Sequence, residues 1–140
     1  MKRLLVDTNV VLDVLLDRQP HAESSVAIWA FVEAGHWEGF LAAHAITTIH
    51  YLVRKELGAV RTKQLITLIL RVFRVASVDG PIVEQALRLP LVDFEDAVTA
   101  AAALAAECEF IVTGDPRGFK GSPVRVLGPE AAVPILGSVP

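Results

Sequence analysis

The chain has 140 residues and a net charge of −3, and 53% of its residues are hydrophobic. Its length predicts one domain over residues 1–140, and its net negative charge argues against a general nucleic-acid coat protein. Charged residues interrupt every apolar run before it reaches the roughly 18–20 residues of a membrane span. The start of the chain is too short for a signal peptide. Cys108, the single cysteine, cannot form an internal disulfide, so we expect a buried structural thiol and a reducing cytoplasm. The high apolar content predicts a surface that meets a partner, either a second copy or another protein.

The first half of the chain alternates short apolar runs with segments of helical period. In chain order, the predicted elements are a strand at Lys2–Val6, helices at Val10–Leu16 and Glu23–Ala34, a strand at Phe40–Ala43, and helices at Ile46–Leu57 and Arg61–Phe73. Gly35 and Gly58 follow two of these helices and predict where they end.

The second half repeats the alternation. Its predicted elements are a strand at Val75–Val78, helices at Ile82–Leu89 and Asp93–Ala106, a strand at Phe110–Val112, a loop at Gly114–Ser122 and a strand at Val124–Leu127. Short strands that alternate with helices predict a three-layer α/β fold with a small, mostly parallel central sheet flanked by helices. The pattern does not give the order of the strands.

Positive charge is concentrated in the middle of the chain. Residues 54–74 carry a net charge of +5, which leaves −8 on the rest. Within this segment Arg54, Lys55, Arg61 and Lys63 are candidates for contacts with a phosphate backbone. The alternative is a helix face that is charged because it meets solvent.

Three acidic residues far apart in sequence occupy the positions where an α/β sheet places its chemistry. Asp7 and Asp115 follow two buried strands, and Asp96 begins the alanine-rich helix. Carboxylates in one cavity suit a hard divalent cation, because without it each pair about 4 Å apart would repel by roughly 4 kcal/mol. Such a cation lowers the pKa of a bound water and neutralises charge on a phosphodiester. The pattern therefore predicts metal-dependent phosphoester hydrolysis.

Polar residues beside these acids are candidates for supporting roles. Asn9 could orient a cation or cap the following helix, Thr113 could hydrogen-bond to Asp115, and Asp93 is predicted to cap the alanine-rich helix. Helix capping and an ordinary turn are the alternatives for Asp7 and Asp115 when each is taken alone. The small residues Ala100 and Ala103 that follow Asp96 favour a functional role for that acid over a simple N-terminal charge.

The chain resembles the PIN-domain ribonucleases, in particular the VapC-type toxins of prokaryotic toxin–antitoxin pairs. The motifs that carry the resemblance are LVDTNVVLD at residues 5–13, FEDA at residues 94–97, and IVTGD at residues 111–115 with Phe119. The resemblance implies a PIN-like fold and an endoribonuclease that uses Mg²⁺ or Mn²⁺. It also implies that Asp7, Asp96 and Asp115 hold the metal, that Asn9 and Thr113 support them, and that the protein forms a homodimer and is neutralised by a small antitoxin.

Two positions depart from the family pattern. Such families carry a glutamate on the third helix in a Thr-x-x-Glu setting, whereas here Thr47 is followed at that spacing by His50. The imidazole could bind a softer metal or a phosphate, or could be an ordinary surface side chain. Gly118 stands where some relatives have another acid. These departures predict weakened or altered nuclease activity.

The leading hypothesis is a Mg²⁺- or Mn²⁺-dependent endoribonuclease that acts on RNA and forms the toxin half of a type II pair. The non-enzymatic alternative is a PIN-like module that binds RNA or protein without cutting, which the residue at position 50 supports. An aspartyl-phosphate phosphatase is disfavoured, because Asn9 stands where that chemistry needs an acid to protonate the leaving group.

Overall fold

Parallel strands alternate with helices along the whole of the chain that the computed structural model describes, residues 1–138. The elements are β1 (Arg3–Val6), α1 (Thr8–Leu15), α2 (Ala22–Glu33), β2 (Glu38–Ala42), α3 (Ala43–Val72), β3 (Arg74–Ala76), α4 (Gly80–Arg88), α5 (Phe94–Ala105), β4 (Phe110–Val112), a 3-10 helix (Pro116–Phe119), β5 (Arg125–Leu127) and α6 (Pro129–Gly137). Each strand and helix predicted from the sequence is present, with bounds that differ by a few residues.

The five strands form one sheet in the order β3-β2-β1-β4-β5, and every neighbouring pair is parallel. The prediction of a small, mostly parallel sheet is confirmed. The chain builds outward from β1 to β3 and then returns to add β4 on the other side of β1. The order therefore reverses between β1 and β4, and the crevice at their carboxyl ends is where such sheets bind ligands.

Alternating residues of the strands face two separate helical layers, which gives the predicted three-layer arrangement. Leu4 and Val6 pack in a core with side chains of α1, α2, α3 and α6. Leu5 points to the opposite face and packs against α4 and α5. The residues 100–103 of α5 are alanines at most 2% exposed. Their small side chains let α5 lie close to the sheet.

Helix α3 combines the two helices predicted at 46–57 and 61–73. Gly58 has φ 79° and ψ 171°, which is not helical, and the kink lies at the residue predicted to end the first helix. The helix begins at Ala43, three residues before the predicted start, and Ala42 provides no capping side chain. His44 therefore lies in the first turn of α3.

Helix α6 was not predicted from the sequence. It contains Pro134, a residue that removes a backbone donor and argues against a helix interior. Tertiary contacts hold it in place: the indole N–H of Trp37 donates to the carbonyl of Leu136 at 3.0 Å, and Leu136 is 1% exposed. Cys108 is buried as expected, and burial raises the pKa of its thiol to about 12. No helix within residues 1–138 combines the length and apolar character that crossing a membrane requires.

Candidate metal centre

Asp7 lies directly after β1, at the point where the strand order reverses. Its backbone conformation is extended, and its Oδ1 accepts a hydrogen bond of 2.8 Å from the N–H of Thr8, so the residue caps α1. Its side chain is only 7% exposed. Asp7 therefore caps α1 and also lies in the crevice. The capping hydrogen bond uses Oδ1 and leaves Oδ2 available for another contact.

Thr113 connects the ends of β1 and β4. Its hydroxyl donates to Asp7 Oδ2 at 2.8 Å and accepts from the backbone N–H of Asp115 at 3.1 Å. Thr113 is fully buried. The Thr113 side chain thus fixes the rotamer of Asp7 and the backbone of Asp115.

Asn9 makes the second connection between these loops. Its Oδ1 accepts from the N–H of Gly114 at 2.9 Å, and its Nδ2 donates to Thr113 Oγ1 at 3.5 Å. A Cβ on Gly114 would lie 3.3 Å from the Asn9 side chain, so glycine permits this close approach. The predicted supporting positions of Asn9 and Thr113 are thus occupied by residues that hold the loops together.

Gly118 lies between Asp96 and Asp115. A Cβ at this position would be 2.8 Å from Asp115 Oδ2 and 3.1 Å from Asp96 Oδ2, so the two carboxylates face each other across the glycine. Asp96 is half-buried in the first turn of α5, and Asp115 is exposed. The N-cap of α5 is Asp93, whose Oδ1 accepts from the N–H of Asp96 at 3.0 Å. The predicted cap is confirmed, and Gly118 leaves the space between the acids open.

The pKa values of two of the three acids report their crowding. Burial raises the pKa of Asp96 to about 7, with further increases from the charges of Asp7, Asp93, Glu95 and Asp115. Burial also raises the pKa of Asp7, against the hydrogen bonds from Thr113 and Thr8 that favour its ionised form. Without a counter-charge, protonation of Asp96 therefore extends toward neutral pH.

The donor chemistry of this cluster fits a hard divalent cation. Asp7, Asp96 and Asp115 offer carboxylate oxygens, and Gly118 leaves room between two of them. Among residues 1–138, no three Asp, Glu, His or Cys side chains lie close enough to coordinate one ion directly. Mg²⁺ keeps several waters and needs only one or two carboxylates, so the open arrangement still suits it. The net negative charge around Asp96 is the electrostatic reason for a cation to bind.

His50 is not brought to the acids by the fold. Its side chain is exposed on α3, six residues beyond His44, which places it about 120° around the helix from that residue. The expectation that the histidine at position 50 occupies a site position came from the Thr-x-x-Glu spacing of the resemblance, counted from Thr47. The true start moves the first turn of α3, and with it His44, to the carboxyl edge of the sheet.

The basic side chains of α3 lie away from the acids. Arg54, Lys55, Arg61 and Lys63 are all exposed. Arg54 is ten residues beyond His44, or about 15 Å along the helix. These cations can meet only a substrate that extends beyond the metal centre.

Three residues near the acids were missed by sequence reasoning. A positive charge on the imidazole of His44 would lower the pKa of Asp7, and its Nε2 lies 3.3 Å from Thr99 Oγ1 on α5. Arg117 and Lys120 are exposed on either side of Gly118. The signal for the histidine was available, because it follows a predicted strand in the same way that Asp7 does.

The comparisons with known proteins concern the family and the fold of the chain. The family model described as PIN domain matches residues 3–117. No curated protein matches the sequence. Three solved structures are similar to this chain. VapBC2 from Rickettsia felis, bound to a promoter DNA fragment, is 13% identical over 90% of this chain and 98% of that chain, with a TM-score of 0.72. FitAcB from Neisseria gonorrhoeae is 22% identical over 91% and 98% of the two chains, with a TM-score of 0.67, and VapC20 from Mycobacterium tuberculosis, a Sarcin-Ricin loop cleaving toxin, is 19% identical over 77% and 86%, with a TM-score of 0.61. At these identities the likeness concerns the fold.

Proposed function

The chain belongs to the PIN domain family, and on that premise we propose that it is a divalent-metal-dependent endoribonuclease. Its substrate is RNA, and Mg²⁺ or Mn²⁺ is its cofactor. One observation supports this proposal most. Thr113 is hydrogen-bonded to both Asp7, after β1, and Asp115, after β4, at the place where the strand order of the sheet reverses.

Each acid has a distinct role in the proposal. Asp7 is the fixed ligand, because two hydrogen bonds set its orientation. Asp96 and Asp115 are the ligands that face each other across Gly118. When bound, the cation supplies charge neutralisation of the phosphodiester and activation of the attacking water. Asn9 and Thr113 keep the ligands in register and do not touch substrate.

Cations on the surface would position the RNA. Arg117 and Lys120 flank the acids, and Arg54, Lys55, Arg61 and Lys63 extend the positive surface along α3. Contacts of this kind fix the register of a nucleic acid without reading its sequence.

The test is cleavage of a labelled single-stranded RNA in Mg²⁺ or Mn²⁺, compared with EDTA. Asp7→Asn keeps the cap but removes the ligand charge, and should lower kcat by at least about 100-fold, equivalent to several kcal/mol of charge stabilisation. Asp17→Asn is the matched control, because Asp17 is exposed with φ 49°, a conformation that Asn accepts. Equal cleavage by Asp7→Asn and the parent would contradict the proposal. RNA binding without any cleavage would favour the alternative, a PIN-like module that binds but does not cut.

We further propose that the protein is the toxin of a type II pair, a homodimer neutralised by a small antitoxin. Similar structures include VapBC2, which is bound to a DNA fragment from its promoter, and VapC20, which cleaves the Sarcin-Ricin loop. Apolar side chains that such partners could cover are exposed on α3: Tyr51 is 62% and Val60 is 77% exposed. Light scattering on the eluting protein should give about 30 kDa, twice the mass of the 15.1-kDa chain. Co-expression with the product of the adjacent reading frame should yield a stable complex that does not cleave RNA.

A further inference from the structure

The side chain of His44 contacts Thr99, and the hydrogen bonds of that threonine favour one tautomer of the imidazole. The Thr99 hydroxyl donates to the carbonyl of Glu95 at 3.1 Å, one turn earlier in α5. Its single hydrogen is therefore used, and at 3.3 Å from His44 Nε2 its oxygen can only accept. When Thr99 makes this bond to Glu95, a neutral imidazole carries its hydrogen on Nε2 and a bare lone pair on Nδ1.

Nδ1 of His44 is unusual among the polar atoms of residues 1–138. Only two buried side-chain nitrogen or oxygen atoms in this range lack a hydrogen-bond partner: His44 Nδ1 and Glu38 Oε1. Glu38 Oε1 has electrostatic compensation, since the guanidinium groups of Arg3 and Arg74 lie 3.5 and 3.6 Å away. The imidazole nitrogen has no such neighbour in the described part of the chain. Buried polar atoms of this kind are usually satisfied by an ordered water.

The location of His44 connects its imidazole with the acids. Thr99 lies three residues after Asp96 on α5, so the two side chains share one face of that helix. His44 is in the first turn of α3, directly after β2, which is the neighbour of β1. The imidazole is close enough to Asp7 that a positive charge on it would lower the pKa of that acid. The histidine thus borders the cluster from the side opposite β4.

We propose that His44 is a positioning residue of the metal centre: its Nδ1 accepts a hydrogen bond from a water molecule held among Asp7, Asp96 and Asp115. This inference rests on the proposed nuclease function. In that reaction the water is the nucleophile, and the neutral imidazole of His44 lies beside it as a hydrogen-bond acceptor. The residue orients that water and does not itself bond to the phosphate. Thr99 secures the tautomer that makes Nδ1 an acceptor.

Two substitutions separate this role from a structural one. His44→Asn places an amide oxygen near the position of Nδ1 and loses the bond to Thr99, whereas His44→Gln keeps a donor near Nε2 and loses the acceptor. We expect His44→Asn to retain kcat within about threefold of the parent and His44→Gln to lose about 10- to 100-fold in kcat with KM unchanged, the size of effect seen for residues that support metal ligands. The reverse order, with Gln active and Asn inactive, would show that the bond to Thr99 is what matters and would overturn the proposal.

Nitrogen NMR on the folded parent protein decides the same point without any activity. In EDTA at pH 8, the ring of His44 should show hydrogen on Nε2 and a bare Nδ1, and addition of Mg²⁺ should shift the Nδ1 resonance. A hydrogen on Nδ1, or an Nδ1 resonance that ignores saturating Mg²⁺, would overturn the proposal. Should the parent fail to cleave RNA, the nuclease assignment falls, and the NMR result still decides the role of His44. If either variant melts early, the parent spectrum remains the deciding measurement.

Discussion

The hydroxyl of Thr113 donates a hydrogen bond of 2.8 Å to Asp7 Oδ2, joining two residues that are 106 positions apart in sequence. The pairing of Val6 with Val112 brings the two strand ends side by side. The hydrogen bond then selects one rotamer of the buried carboxylate. The geometry of the proposed metal centre depends on this contact more than on any other.

Removal of that hydroxyl should therefore damage both stability and activity. Thr113→Val leaves the carboxylate of Asp7 and the N–H of Asp115 without their partner in a fully buried place, so we expect the free energy of unfolding to fall by about 1–3 kcal/mol. Urea denaturation measures the loss. Thr113→Ser restores the hydroxyl and should recover most of it. Thr67→Val removes a similar hydroxyl at an exposed position, where it donates to the carbonyl of Lys63, and should change stability little. A loss as large at position 67 as at 113 would contradict this account.

The space at Gly118 should be required for binding a cation. In Gly118→Ala the new methyl group would lie 2.8 Å from Asp115 Oδ2 and 3.1 Å from Asp96 Oδ2, so the carboxylates must separate. We expect Mn²⁺ affinity, measured by titration calorimetry, to fall at least about tenfold, as it does when ligand positions are disturbed. Gly80→Ala is the matched control, since its Cβ would meet nothing within 4 Å. Unchanged affinity in Gly118→Ala would show that the cation lies elsewhere.

The raised pKa of Asp96 predicts how the stability of the metal-free protein depends on pH. The pKa of the folded state, about 7, lies above the ordinary value of 3.8, so the folded state binds the extra proton between these limits. The contribution of this residue to stability is complete below about pH 4 and is lost as pH rises through 7. Because the side chain is half-exposed, solvent screening should keep the change to about 1–2 kcal/mol.

Asp96→Asn should remove that dependence, because the amide resembles the protonated acid at every pH. Unfolding by urea in EDTA at pH 5, 6, 7 and 8 gives the comparison. The parent should lose stability relative to Asp96→Asn as pH increases. A gap that stays constant over this range would mean that Asp96 ionises with an ordinary pKa.

The sequence was sufficient to predict that three acids come together at one edge of the sheet, because two stand at the ends of short apolar runs and a third starts an alanine-rich helix. The sequence does not predict the strand order, because the return of the chain from β3 to β4 depends on tertiary contacts. The start of α3 was misplaced because Ala42 offers no capping side chain. His50 was chosen from the Thr-x-x-Glu spacing of the family motif, and His44 was not considered. Helix α6 was missed because Pro134 opposes it locally, while packing and the bond from Trp37 stabilise it.

The basic face of α3 should contribute to RNA affinity through charge alone. Replacing both Arg54 and Lys55 with Ala should weaken binding of unrelated single-stranded RNAs by similar factors. The slope of log affinity against log salt concentration should fall by about 0.7 for each phosphate contact that is lost. Arg88→Ala, at an exposed position in the last turn of α4, provides a control charge removal. The same slope in the double variant and the parent would show that RNA does not reach α3.

The central claim is that Asp7, Asp96 and Asp115 hold one divalent cation, directly or through its bound waters, and anomalous diffraction from crystals soaked in Mn²⁺ tests it most directly. The account predicts a single strong anomalous peak within ligand distance of at least two of these carboxylates, next to Gly118. It also predicts that the peak is lost in Asp7→Asn crystals of the same form. An anomalous map with no peak between these side chains at millimolar Mn²⁺, or with a peak bound by other residues, would contradict it.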